Sequence, residues 1–295
     1  MNWSNFDVRK KVTPSDVQFL NSFDYVVIGG GGLLLPDTNP NMVSCWQWAI
    51  SSDLIEAITA KIYVMSIGYN LFHGQTCSMP NRHNNLSVPK RKNILKENLE
   101  TLIKKSEHFS MRHTGDCQKL REIVDKECGQ NIQFELCPVI YYVKEKYLPS
   151  FKNSKIYHTF ELKDDRPNRR YYNKTQKQFY DELLEYIKVL ISKGEKIAVM
   201  SHDGSNSFAS YLKKNNINYK LLNNSVANEQ KIMENYSQVK KLYCTAGHSQ
   251  MIAYALGVDF YSLITHDKLE YFLKDIGFFT PDKYYFVNSD KGFRL

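Results

Sequence analysis

The sequence predicts an α/β protein of two doubly wound, Rossmann-like domains. First, its 295 residues are too many for one ordinary domain and suit two of about 150 each. Second, short β-branched and aromatic runs alternate with stretches of helical period along the whole chain. Third, several of those runs end in glycines or polar residues, where the ligand loops of open α/β sheets lie.

Asp24–Ile28 reads as a buried strand that stops at Gly29-Gly-Gly-Gly32, a backbone-tight loop. A helical stretch over Ser51–Thr59 leads to a strand at Lys61–Ile67, stopped by Gly68. Strand, helix, strand implies a parallel sheet. Lys92–Lys105 carries Ile94, Leu95, Leu99, Leu102 and Ile103 at helical period and precedes a strand at His108–Met111. A helix over Cys117–Lys126 and a strand over Asn131–Leu136 close the half at Cys137-Pro138, because proline cannot continue a strand ladder.

The lysine-rich, weakly periodic stretch 144–155 is placed as the linker, giving domains at 1–148 and 149–295. Beyond it come strands at Lys155–Phe160, Lys196–Ser201, Tyr219–Leu222, Lys241–Cys244 and Asp259–Ser262. Helices at Gln176–Ser192, Ser207–Asn215, Asn228–Tyr236 and Ser249–Leu256 separate them. That order is a second doubly wound domain.

Hydrophobic residues make up 42% and charged residues 24% of the chain, which excludes a disordered or fibrous protein. No apolar run approaches the ~20 residues of a membrane helix, and the first residues lack the pattern of a secretory leader. The reading is an unexported, cytoplasmic protein. Six cysteines without a C-x-x-C pair indicate reduced thiols rather than a zinc site or disulfide scaffold. No metal-ligand cluster or D-x-D pair stands out, so neither metal nor cofactor is expected. The net charge of +8 is spread over scattered lysines without an aromatic-interleaved basic motif, which favours an anionic small substrate over nucleic acid. Binding to an anionic membrane face stays open.

The chemistry concentrates in Leu242-Tyr-Cys-Thr-Ala-Gly-His-Ser-Gln-Met-Ile-Ala-Tyr-Ala-Leu-Gly257, a strand that turns through Gly247 into a helix. Unpaired N–H groups and the positive helix end make that turn an anion site. His248 there can donate to a bound phosphate; the plainer alternative is a capping histidine. Thr265-His-Asp-Lys268 follows the next strand and brings His266 and Lys268 to the same sheet edge. In the first half the four glycines allow backbone amides to approach a ligand, although Leu34 breaks the dinucleotide fingerprint and no P-loop lysine is present. Arg112 and the run Asp164–Arg170 each follow a strand and are candidate carboxylate or phosphate clamps. Ser201-His-Asp203 lacks the G-x-S-x-G elbow of a hydrolase.

Taken in order, Val26–Leu34, Ser66–Asn70, Met111–His113, Asp165-Arg166, Ser201–Asp203, Gly247–Ile252 and Thr265–Lys268 resemble the polysaccharide pyruvyl transferase family over nearly the whole chain. The resemblance implies a fold similar to two-domain GT-B glycosyltransferases, with phosphoenolpyruvate held by the C-terminal domain and a saccharide acceptor, free or lipid-linked, facing the N-terminal glycine loop. It also implies the reaction: two sugar hydroxyls add to the enol carbon, phosphate leaves and a cyclic pyruvate ketal forms. His248 matches the family's donor-site histidine. Arg112 is carried over as a further catalytic group, with Gly247, Ser249, Arg166, His266 and Lys268 for the donor and Gly30, Gly31, Gly32 and Asn70 for the acceptor.

The family pattern has arginine two residues before that histidine, where this chain has Ala246. The reading is a deliberate substitution that traps an inactive form; Lys268 as a replacement cation and a lost or changed donor chemistry are the alternatives. The chain also opens close to the glycine loop, without the strand and Gly-Asp segment that often begins the family's first domain, so an incomplete acceptor side is expected. The rival functions are a GT-B-like glycosyltransferase using a nucleotide sugar and a non-catalytic sugar-binding protein.

Overall fold

The computed structural model describes residues 2–35, 39, 41–74, 88–171, 173–204, 207–289 and 293. Its chain forms two compact units, Met1–Leu71 with Gln75–Cys137, and Phe72–Gly74 with Pro138–Leu295.

The first unit holds a parallel sheet of β1 (Tyr25–Leu34), β2 (Lys61–Tyr69), β3 (Ser106–Met111) and β4 (Gln133–Phe134), in that spatial order. Helices α1 (Pro14–Leu20), α2 (Ser52–Glu56), α3 (Val88–Lys105), α4 (Thr114–Arg121) and α5 (Lys126–Gln130) accompany it. A capping box starts α1: Thr13 accepts from the Asp16 N–H while Asp16 accepts from the Thr13 N–H, and Pro14 presets the first turn. Ile62, Val64 and Ile67 of β2 share one core with Leu99 and Leu102 of α3. Each such side chain taken from water stabilises the unit by roughly 1.5–3 kcal/mol.

Two expectations change here. The glycines do not end the first strand: β1 runs through Gly29–Gly32 and pairs again at Leu34↔Tyr69 after a register shift. Gly30 (φ 85) and Gly31 (φ 135) adopt backbone angles that other residues rarely reach, so the strand bulges and continues. Gly68 likewise lies inside β2. The single helix expected over Cys117–Lys126 is two, because the turn after Arg121 is followed by Asp125 at the N-cap of α5.

The second unit carries six parallel strands: β5 (Tyr157–Glu161), β6 (Lys196–Ser201), β7 (Lys220–Asn223), β8 (Val239–Cys244), β9 (Phe260–Ile264) and β10 (Tyr284–Phe286). Their order is β10-β9-β8-β5-β6-β7. The helices are α6 (Pro138–Lys146), α7 (Pro167–Arg170), α8 (Gln176–Ser192), α9 (Ser207–Lys214), α10 (Glu229–Tyr236), α11 (Gly247–Ala255) and α12 (Asp267–Asp275). The bounds expected for α8 and β6 are those observed. A second capping box, Thr175 with Gln178, starts α8, and its Phe179, Leu183, Ile187 and Leu190 face the core at helical spacing.

The two units divide between Cys137 and Pro138. The stretch placed as linker begins inside α6 and continues through a 3-10 turn at Leu148–Ser150. Buried Ile140 and Val143 hold α6 to this unit, which packs it on α11 with Lys144 4.5 Å above the Tyr254 ring. Four helices, α1, α6, α7 and α12, and the strand β10 were not expected. No helix among the described residues is long and apolar enough to cross a membrane. The five described cysteines are buried and not disulfide-bonded; Cys77 lies outside the described residues.

Candidate functional site

In the second unit the chain passes from β5 to β6 on one side, then returns to β8 on the other side of β5 and continues to β9. The connections after β5 and β8 therefore diverge, and open α/β sheets bind ligands in the crevice such a switch point leaves at the carboxyl edge. The strand ends are tied together there: the Thr245 N–H donates to the Glu161 carbonyl (3.0 Å) and the Lys163 N–H to Thr245 Oγ1 (2.8 Å).

Helix α11 starts at this point. Its N-cap, Ala246, has extended backbone and offers no side-chain cap, so the first-turn N–H groups face the crevice without one. Gly247 is buried, His248 is exposed and Ser249 is buried in that turn. The Lys268 chain lies over Gly247, its Cε 3.6 Å from where a Cβ there would stand. Gly247, His248, Ser249 and Lys268 are thus gathered by the ends of β8 and β9.

Glu161, at the end of β5, was not singled out from the sequence. The residue is 1% exposed and its Oε2 has no hydrogen-bond partner. Oε1 stands 3.7 Å from Lys163 Nζ, which is closer to Asp203 Oδ2 at 2.9 Å. Burial pushes this carboxyl up to about 7, against the opposing pull of Lys163, Arg170 and the Ser249 hydroxyl. His202, after β6, has Nε2 3.2 Å from the Tyr236 hydroxyl and 3.3 Å from Asn224 Nδ2. Its burial, reinforced by Lys163 and His248, pushes it down to about 4, so the ring is neutral at neutral pH.

Arg166 is held in the left-handed region (φ 51) as the N-cap of α7. It forms an ion pair with Asp165 (2.7 Å) and lies 4.8 Å above the Phe72 ring. Arg170 is buried, pairs with the same Asp165 and donates to Thr265 Oγ1 at 2.9 Å. His266 is 5% exposed and packs against Phe72, with ring centroids 4.1 Å apart and the planes tilted by 37°. Thr265 and His266 are therefore buried residues leading into α12, with Arg170 and Phe72 packed against them.

In the first unit, Arg112 is buried and donates through Nη2 to Asn70 Oδ1 (2.7 Å), with Nε 3.9 Å from Asp116. Its guanidinium occupies the space a Cβ on Gly68 would need, and the Asn70 amide occupies that of Gly32. Gly32, Gly68, Asn70 and Arg112 form one interlocked group. Gly32 is required by a side chain of the protein, whereas Gly30 and Gly31 have nothing within 4 Å of a Cβ position.

The sequence profile of polysaccharide pyruvyl transferases matches residues 2–267. The chain belongs to this family. No curated protein matches it. A pyruvyl transferase of this kind has a saccharide as acceptor substrate, and the anion-favouring turn at α11 lies within the matched span. Among the described residues, no group of three or more His, Cys, Asp or Glu side chains could hold a metal ion.

The polysaccharide pyruvyl transferase motifs led to the ends of β8 and β9 but not to Glu161 or to Lys163. The signal in the sequence is slight: one acidic residue closing the strand Tyr157-His-Thr-Phe-Glu161. Only the strand order sets that residue beside α11.

Proposed function

We propose that this pyruvyl transferase takes phosphoenolpyruvate at the N-terminus of α11 and forms a pyruvate ketal on a sugar of a bacterial surface polysaccharide or its precursor, as a GT-B-like enzyme. The observation that carries the reading is the α11 turn at the β5/β8 switch point, without a side-chain cap, with His248 in it and Lys268 across Gly247. Backbone N–H groups and a lysine suit a phosphate or carboxylate.

In the proposed reaction one sugar hydroxyl adds to the enol carbon while the methylene carbon takes a proton, and the second hydroxyl then displaces phosphate. His248 is assigned to phosphate contact or to that protonation. Lys268 supplies the positive charge that Ala246 cannot. The backbone at Gly30 and Gly31 is assigned to the acceptor. Arg112 acts through Asn70, which it orients.

The test is calorimetric titration of the chain, of Ala246→Arg and of His248→Ala with phosphoenolpyruvate and with a panel of nucleotide sugars. Phosphoenolpyruvate is expected to bind, more tightly to Ala246→Arg and not to His248→Ala. Binding of nucleotide sugars alone would replace this reading with a glycosyltransferase.

A further inference from the structure

At the switch point a buried carboxyl sits beneath an anion-favouring turn, a placement that an anion-binding site does not call for. Glu161 pairs in register with Cys244, three residues before α11, and the Ser249 hydroxyl of the first turn of α11 faces it. The residue is 1% exposed and Oε2 is unpartnered, so beyond the pull of the Ser249 hydroxyl an ionised carboxylate there has an oxygen without the hydrogen bond that a buried charge needs.

The charges around it do not compensate. Lys163, two residues on from β5, is 3.7 Å away and shared with Asp203 after β6, a second negative charge. Arg170 of α7 is engaged by Asp165 and Thr265. Tyr171 after α7, Tyr236 of α10 and Cys244 of β8 face Glu161 and are held neutral, their acid forms favoured by burial. A second anion entering at α11 adds repulsion at short range in a poorly screened interior.

We infer that Glu161 is the proton-linked group of the α11 site: an anion bound at this turn is accompanied by one proton taken up on the Glu161 carboxyl. The inference rests on the reading that α11 takes an anionic donor. With Glu161 neutral, the helix end, Lys163 and Lys268 act on the ligand alone. Displacement of the carboxyl to about 7 brings the exchange into the physiological range.

The experiment is titration of the full chain with phosphoenolpyruvate between pH 7.5 and 9, where the ligand's own phosphate no longer titrates. At pH 8 it is repeated in buffers of different ionisation enthalpy, which counts protons without any variant. The expected result is uptake of about one proton and a Kd that rises by up to about tenfold per pH unit. Glu161→Gln is expected to bind with a flat pH profile and no uptake. Binding without proton uptake overturns this inference and leaves the donor reading standing. Uptake that persists in Glu161→Gln assigns it to another group and also overturns it. If neither phosphoenolpyruvate nor inorganic phosphate binds at any pH, the donor reading falls and the inference with it.

Discussion

The side-chain amide of Asn70 fills the space that a Cβ on Gly32 would occupy. The segments at the ends of β1 and β2 are thereby keyed to each other, and Arg112 locks the key by donating to Asn70 Oδ1 at 2.7 Å.

Gly32→Ala forces Asn70 out of this position, and overpacking of this sort costs about 1–3 kcal/mol. Urea unfolding should show that loss. In an Asn70→Gly background, which has its own cost because Arg112 loses its acceptor, Gly32→Ala should add little further loss, since the clash is already gone. Strictly additive losses would show that Asn70 is not what excludes a side chain at 32.

Arg112→Lys keeps the charge and loses the planar fork that both reaches Asn70 and lies against Gly68. A loss of about 1–3 kcal/mol is expected from the broken charge-assisted bond. Chemical denaturation measures it. A variant as stable as the parent would mean that the Arg112–Asn70 bond contributes little.

If Lys268 provides the positive charge at Gly247, Lys268→Ala should weaken phosphoenolpyruvate binding about tenfold or more, consistent with a net contribution of about 1.5–3 kcal/mol for a hydrogen bond to a charged group. Ala246→Arg introduced into the Lys268→Ala variant should restore it. Calorimetry on the three proteins decides the point; an unaffected Lys268→Ala would leave the helix end alone holding the anion.

Stability should follow Glu161 with a definite sign. Its folded value, about 7, lies above the ordinary 4.5, so the folded state binds more protons between them. This contribution to stability is present in full below about 4.5 and is lost as pH rises through about 7, by an amount on the order of 3 kcal/mol. Glu161→Gln removes the loss. Its melting temperature relative to the parent should therefore be higher at pH 8.5 than at pH 5, and an offset that is the same at both would contradict the assignment.

His202 works in the opposite direction. Depressed to about 4 from 6.5, it contributes stability that is present above about 6.5 and lost as pH falls through about 4. Its ring resonances in NMR should barely move between pH 8 and 5, and His202→Gln should flatten the acid limb of the stability profile. A His202 signal titrating near 6.5 would show the ring to be solvated.

Residue order along the chain was enough to read the α/β alternation, the parallel sheets and the glycine-to-helix turn at Gly247–Ser249. Each is a local matter of period, β-branching and chain reversal, written into neighbouring residues. Bounds held best where capping is local too, as at Thr175 and Gln178 of α8. The glycines of β1 read as a stop because their left-handed angles are equally compatible with a loop and with a bulged strand that resumes pairing at Leu34. Assignment of α6 to the second unit was equally beyond the sequence, since Ile140 and Val143 name no partner until α11 is beside them. The pairing of Glu161 with Cys244 needed the folded sheet. The two residues lie far apart in the chain, and the order of strands is set by which faces can be buried together, a property of the whole domain that no single strand carries.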